Sequence, residues 1–264
     1  MTENTFGLVI EMDVLQVTHE GVVTFHDAIA TEIPLTIMAN DTEIATLLTS
    51  PSGLKELTFG YLFTSGFIKS ADDVTGYTCD EQRWTVHVNL KNTPDPSIMR
   101  KRLYTSGCGK CAMYTTIHEI SLREKLKSTV NIRHHQVFTI ALRLRDGTPA
   151  FKRTGSVHSA FYVNPETGYE IVMDDVARHN AIDKVAGRAL IDGIDLTKGI
   201  IARTGRTSSE IIYKIRKCGI PVVVSRGAPT HQAVHLGKEL GITIIGFARE
   251  NSFNVYSCPE RVSP

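Results

Sequence analysis

The most direct chemistry in the chain sits in Tyr104-Thr-Ser-Gly-Cys108-Gly-Lys-Cys111-Ala, where two thiols are separated by a glycine and a lysine. A cysteine acts as nucleophile, metal ligand or sulfur carrier only as its thiolate, and a neighbouring ammonium and a second thiol both favour that form. Lys110 and Cys111 supply these conditions to Cys108, while Gly107 and Gly109 leave the sulfurs open to a closely approaching partner. The spacing fits a zinc half-site, a dithiol redox centre or a sulfur carrier. A structural zinc site needs four ligands, usually with a second close pair, and Cys79, Cys218 and Cys258 stand singly. His134-His135 does not complete a site, because neighbours on a strand point to opposite faces. No metal site is expected.

A second kind of chemistry is spread over four polar clusters. In Asp174-Asp-Val-Ala-Arg178-His179-Asn180-Ala-Ile-Asp183-Lys184, the side chains of His179, Asp183 and Lys184 are expected to share the solvent side of the first helical turns. A salt-bridged helix start is the plain alternative, but the density of polar groups exceeds what capping needs. In Thr204-Gly205-Arg206-Thr207-Ser-Ser-Glu210, Thr207 and Glu210 fit a capping box, and Gly205 with Arg206 offers backbone donors and a guanidinium to a phosphate. The loop lacks the lysine and the long glycine-rich run of a nucleotide hydrolase, so binding without hydrolysis is expected. Ser225-Arg226-Gly-Ala-Pro-Thr230-His231 and Phe247-Ala248-Arg249-Glu250-Asn251-Ser252 complete the set. Arg178, Arg206, Arg226 and Arg249 along one rim would suit a large ligand with several phosphates, with His158 a further candidate on that rim.

The elements that must position these groups follow from periodicity. Residues 7–49 read as extended, with Asn40-Asp41 as a hairpin turn between Ile33/Leu35/Ile37 and Ile44/Leu47. Ser50-Pro51 is expected to cap and open a helix carrying Leu54, Leu57 and Tyr61 and closed by Gly66. Trp84, Val86, Val88 and Leu90 alternate as a half-buried strand, with Trp84 a core or edge packing residue. This first part reads as a small α+β unit without chemistry of its own, and residues 92–130 as a connection holding the thiol loop. Beyond residue 135 helices and strands alternate: a helix with Val137, Ile140, Ala141 and Leu144, then strands 159–163 and 170–173 around the Asn164–Gly168 turn. A helix through Ile182 to Leu190 follows, then strand 199–203, helix 208–217, strand 221–225, helix 230–240 and strand 242–247. The alternation predicts a largely parallel sheet covered on both faces, whose ligands sit at strand carboxyl ends against helix amino termini. Two domains are expected, 1–130 ending in the thiol loop at 104–113, and 131–264.

Composition narrows the classes. The 264 residues are 42% hydrophobic and 22% charged, as in ordinary globular proteins, and the formal net charge of +1 argues against a nucleic-acid surface. There is no apolar run of membrane-spanning length and no basic and apolar leader, so neither a membrane partner nor export is expected. Five cysteines, an odd and sparse set, fit free thiols in a reducing cytoplasm.

With these clusters assembled, the sequence resembles the formate dehydrogenase accessory sulfurtransferase family over nearly its whole length. The matching stretches are 40–49 with Pro51 and the following helix, Ser106–Cys111, Thr154–His158, Asp175–Lys184, Thr204–Arg206 and Gly227–Thr230. Ala112, Ala177 and Ser156 stand where the family usually has glycine. The resemblance implies a cytoplasmic homodimer that carries persulfide sulfur from a cysteine desulfurase to a molybdenum or tungsten bis-guanine-dinucleotide cofactor, before that cofactor enters formate dehydrogenase. It implies a three-layer, cytidine-deaminase-like carboxyl-terminal domain beside the smaller α+β, roll-like one. The deaminase zinc signature is absent, so deamination is not expected. It further implies that Cys108 carries the persulfide, with Cys111 joining it, and that Phe247 to Ser252 meet the cofactor. The polar clusters add Arg178, His179, Asn180, Asp183, Lys184, Gly205, Arg206, Arg226 and Thr230 to the cofactor-binding set, for which a free guanine nucleotide would be a mimic. The rival classes are a cofactor carrier that needs no thiol chemistry and a thiol-disulfide oxidoreductase. The latter is disfavoured because the cysteine pair does not open the helix of a thioredoxin-like strand-helix unit.

Overall fold

The computed structural model describes residues 7–93, 102–104, 112–114 and 124–264. Cys108 and Cys111 lie outside the described residues, as does most of the expected connection.

The chain begins with a two-stranded ribbon, β1 (Val9–Thr18) and β2 (Gly21–Ala30). Next come β3 (Ile33–Ala39) and β4 (Thr42–Thr49), joined at Asn40 and Asp41, whose φ of 46° and 64° are the two left-handed turn positions expected there. Helix α1 (Leu54–Thr64) and strands β5 (Val74–Asp80) and β6 (Thr85–Leu90) follow. The sheet runs β4-β3-β6-β5, and α1 buries Leu54, Leu57, Tyr61 and Leu62 against Leu35, Ile37, Val86 and Val88. Trp84 packs on the edge of this core, as expected. The helix does not start at Ser50-Pro51: Gly53, left-handed at φ 62°, stands at its amino end with no side-chain cap. Ser50 is drawn away, its N–H donating to the Asp175 carboxylate and its hydroxyl accepting from Val176 N–H.

After β7 (Arg102–Tyr104) and β8 (Ala112–Tyr114), a short antiparallel pair, the second half comprises β9 (Ile132–Arg133), α2 (His134–Asp146), α3 (Pro149–Thr154), β10 (His158–Val163), β11 (Glu170–Asp175) and α4 (Arg178–Asp192). It continues through β12 (Ile200–Arg203), α5 (Ser209–Lys217), β13 (Val222–Ser225), α6 (His231–Leu240), β14 (Thr243–Gly246), β15 (Asn254–Ser257) and β16 (Val262–Ser263). The six-stranded sheet has the order β11-β10-β12-β13-β14-β15. The expectation of a largely parallel sheet needs correction, since only β12, β13 and β14 are parallel, and β10, β11 and β15 run antiparallel to their neighbours. The turn at 164–168 and the loop after β14 are too short for a crossover, and a short connection can only reverse the chain. His134 and His135 open α2 instead of lying on a strand. One face of the sheet packs Phe161, Ile200, Val222 and Ile245 against α2, and the other packs Tyr162, Ile201, Val223 and Ile244 against α4, α5 and α6. These strands are apolar on both faces, as central buried strands are.

The two halves meet through α1 and α4. A Cβ added to Gly60 would lie 1.7 Å from the Asp183 carbonyl oxygen, and one added to Gly187 would lie 1.8 Å from that of Glu56. Only glycine permits backbones this close.

Candidate functional site

The carboxyl ends of β11, β12, β13 and β14 and the start of β10 lie at one edge of the large sheet, against the amino termini of α4, α5 and α6. The loops here are tied to one another. Thr207 N–H donates to the Ala228 carbonyl, Thr230 N–H to Thr207, Phe247 N–H to Gly227 and Ala248 N–H to Ser225. The Thr230 hydroxyl caps α6 by accepting from Ala233 N–H at 3.3 Å. The edge gathers Arg178, Gly205, Arg206, Arg226, Thr230 and the stretch Phe247–Ser252. Arg249 donates to the Arg226 carbonyl at 2.8 Å, and burial, then the nearness of Arg249 and Arg145, lowers the Arg226 pKa. Phe247 is exposed and held left-handed at φ 49°, so its ring stands out from the edge, while Ala248 is buried beneath it. Glu250 pairs with Arg145 of α2, and Asn251 and Ser252 are exposed.

His179, Asn180, Asp183 and Lys184 are not on a solvent face, which corrects the expectation from helical spacing. All four are buried, because α1 covers that face of α4. Lys184 lies 2.6 Å from Asp175, both at most 1% exposed, and donates to the Asp174 carbonyl. Asp175 also accepts from the Thr49 hydroxyl, Ser50 N–H, Ala177 N–H and the Asn180 amide, and Asn180 donates to the Leu48 carbonyl. Asp183 accepts from Thr64 and from Lys214 at 2.7 Å. His179 stands 2.9 Å from Glu210, and burial above all holds its imidazole below its ordinary pKa despite that carboxylate. The expected capping box of Thr207 and Glu210 is therefore absent: Glu210 faces His179, and the N-cap position of α5 is Ser208. Thr49, Ser50 and Thr64 show that the first half, expected to contribute packing alone, supplies polar partners to this network. Sequence spacing carried no signal for them, since their partners are more than a hundred residues away.

Arg203 was also missed. It ends β12 on the helix side of the sheet, 1% exposed, and its Nη1 donates to the carbonyls of Gly205 and Arg206 at 3.3 and 2.8 Å. Burial, then nearby Arg178, lowers its pKa to about 9, so it remains a cation at neutral pH. A lone arginine closing an apolar strand, Ile200-Ile-Ala-Arg203, was the available signal. His158 does lie at the expected rim. Its Nδ1 is 3.0 Å from the Thr204 hydroxyl, and burial, then the charges of Arg203 and Arg178, pushes its pKa down to about 4. A cavity of about 520 Å³ opens here, lined by His158, Thr204, Gly205, Arg226, Arg145 and Phe151 among others.

Charge pairing separates the edge from most of the other arginines, although Arg133 and Arg216 also lack a carboxylate within 4.0 Å among the described residues. Arg143, Arg145, Arg153 and Arg188 are all in ion pairs with carboxylates. Among the described residues, none of Arg178, Arg203, Arg206, Arg226 and Arg249 pairs with a carboxylate within 4.0 Å. Unpaired guanidiniums at strand ends can receive an anion of high charge. No group of three or more metal-ligating side chains occurs among the described residues, nor any helix long and apolar enough to cross a membrane.

Comparison with known proteins agrees with this architecture. A solved structure of a formate dehydrogenase accessory protein from Desulfotalea psychrophila shares the fold, with a TM-score of 0.77 at 24% identity over 97% of this chain and 100% of that one. The sulfur carrier protein FdhD of Bacillus subtilis is 34% identical over 238 residues, 89% of this chain and 90% of its own. The protein of the same name from Staphylococcus haemolyticus is 35% identical, again over 89% and 90%. Residues 30–263 match the family model described as FdhD/NarQ. The chain therefore belongs to the FdhD/NarQ family.

Proposed function

We propose that this protein is a sulfurtransferase carrying persulfide sulfur from a cysteine desulfurase to a molybdenum or tungsten bis-guanine-dinucleotide cofactor destined for formate dehydrogenase. The observation that carries the reading is the set of five arginines at one sheet edge that have no carboxylate partner among the described residues, beside an exposed aromatic ring. A dinucleotide cofactor brings several phosphates to the guanidiniums and a base to Phe247, and the names of the relatives supply sulfur as the cargo. The cytoplasm, a homodimer and a cytidine-deaminase-like ancestry for the second half belong to the same proposal.

In the first step the Cys108 thiolate attacks the terminal sulfur of the donor persulfide; the donor's S–S bond breaks and the donor leaves as a thiolate. In the second, the Cys111 thiolate attacks the inner sulfur of the Cys108 persulfide and the outer sulfur departs to the cofactor, which is the substrate. A Cys108–Cys111 disulfide remains, and a thiol reductant restores it with two electrons. Arg178, Arg206, Arg226 and Arg249, with Gly205 and Phe247 to Ser252, hold the cofactor; the buried His179, Asn180, Asp183 and Lys184 support that edge from beneath.

The test is incubation with a cysteine desulfurase and sulfur-labelled cysteine, followed by mass analysis of the peptide containing Cys108. Added sulfur on that peptide, lost in Cys108→Ala, is expected. Unchanged labelling in Cys108→Ala removes the role from Cys108, and a double cysteine-to-alanine variant that still yields active formate dehydrogenase favours a simple cofactor carrier.

A further inference from the structure

We propose that the recess around Gly205 is a discrete site for one tetrahedral oxyanion, seated against His158 and Arg178 above the buried Arg203, and that His158 takes up a proton as the anion binds. Gly205 is the point on which these residues converge. It is left-handed at φ 81°, and a Cβ there would lie 3.2 Å from His158 Cε1 and 3.5 Å from Arg178 Cδ. Its carbonyl accepts from Arg203 Nη1 on the inner side and from the Ser225 hydroxyl at 2.7 Å.

The recess has more donors than the protein uses. Arg203 Nε and Nη2 and Arg178 Nε are buried without hydrogen-bond partners among the described residues, as are the Ser159 hydroxyl and Asp174 Oδ1 of the neighbouring strands. A buried guanidinium with no anion beside it is unfavourable, and polar groups in folded proteins are rarely left in this state without a ligand. The recess also lies toward the amino end of α5, a nine-residue helix whose dipole favours negative charge.

The charged groups around His158 are Arg203 from β12, Arg178 and His179 from α4 and Asp175 from β11, while Arg145 of α2 and Arg226 line the cavity beside it. The Asp175 charge is already matched by Lys184 at 2.6 Å, and Glu210 of α5 is turned toward His179. The imidazole therefore stands in a positive surrounding and is neutral near pH 7, in keeping with its depressed pKa of about 4. An anion between it and the two guanidiniums cancels that field and favours imidazolium, so the proton comes from solvent. Donors arriving from separate directions suit a tetrahedral oxyanion better than a planar carboxylate, which a single arginine fork would match. A cavity of about 520 Å³ adjoins this point, sharing His158, Thr204 and Gly205 with it and adding Arg145 and Arg226, and it exceeds one oxyanion.

Only the nucleotide arm of the test rests on the proposed function. The full chain with carbon-13-labelled histidine is titrated by NMR from pH 8 to 4, at constant ionic strength in chloride, without and with sulfate, a dianion over that whole range. His158 is assigned from His158→Gln. Sulfate is expected to shift the His158 Cε1 resonance and raise its midpoint by at least about one unit. By linkage, sulfate affinity rises up to about tenfold per pH unit as pH falls between the free and bound midpoints. His158→Gln should bind sulfate weakly with no such slope, and Arg178→Gln, at a partly exposed position, and Arg203→Met should lose the shift. A midpoint unmoved by sulfate, or one that still moves in Arg178→Gln, overturns the proposal. GDP displacing sulfate where guanosine does not identifies the anion as a nucleotide phosphate; sulfate binding indifferent to GDP supports a free oxyanion and separates the site from the cofactor. The same readings in the double cysteine variant keep this result independent of sulfur transfer.

Discussion

The crossing of α1 over α4 and the loop edge beyond it share the polar cluster at the start of α4, yet they treat charge in opposite ways. At the crossing, buried Lys184 with Asp175 and half-buried Lys214 with Asp183 form matched pairs, and each carboxylate also accepts from a hydroxyl of the first half. At the edge, Arg178 stands close enough to perturb the buried Arg203, and neither has a carboxylate within 4.0 Å among the described residues. Buried charge that is paired serves to lock structure, whereas buried charge left unpaired is kept for something that arrives later.

The strongest way to break the comparison is at the glycines. Gly187→Leu inserts a side chain where backbone already stands, and should cost roughly 4 kcal/mol or more, read as loss of cooperative urea unfolding. If the variant unfolds like the parent, the halves are not locked there. Next in size, Lys184→Met leaves Asp175 buried without its counter-charge and should lower stability by about 3–5 kcal/mol. Arg203→Met should lower it by much less, because it removes an unpaired cation along with two hydrogen bonds to carbonyls. Equal losses in denaturant titrations of the two variants would abolish the distinction drawn between crossing and edge.

A smaller effect is pH-dependent. His158 is held below its unfolded pKa, so between about 6.5 and about 4 the unfolded chain binds more protons than the folded one. That contribution is neutral above this window and becomes a penalty as pH falls through it. His158→Gln should flatten the acid limb of a stability profile, and an unchanged limb would place the titration elsewhere. Smallest of all, Glu11→Ala removes the exposed partner of Arg153 and should change stability by under about 1 kcal/mol, measurable as a minor shift in midpoint.

Much of the fold was readable from the residues. The Asn40-Asp41 turn, the Asn164–Gly168 turn and the alternation of 200–203, 209–217, 222–225, 231–240 and 243–246 follow from local rules of turn chemistry and periodicity. The sheet's mixed direction was within reach too, since the short turn already forced β10 and β11 antiparallel. The gathering of Arg178, Gly205, Arg206, Arg226 and Phe247–Ser252 at one edge was legible because strand ends in such folds share an edge by construction. Less legible were Ser50, taken for a cap, and Glu210, taken for half a capping box; each was claimed by a partner far away in sequence.

What the sequence determined alone is the ladder of elements, the paired thiols and the placement of arginines after strands, because each depends on residues within a few positions of one another. Only the tertiary structure decided that Asp183 and Lys184 lie inside, that Thr49 and Thr64 belong to their network, and that Arg203 is buried with no carboxylate within 4.0 Å among the described residues. Whether a charge is paired depends on what the rest of the chain packs against it, and here that is a helix crossing fixed by two glycines more than a hundred residues apart.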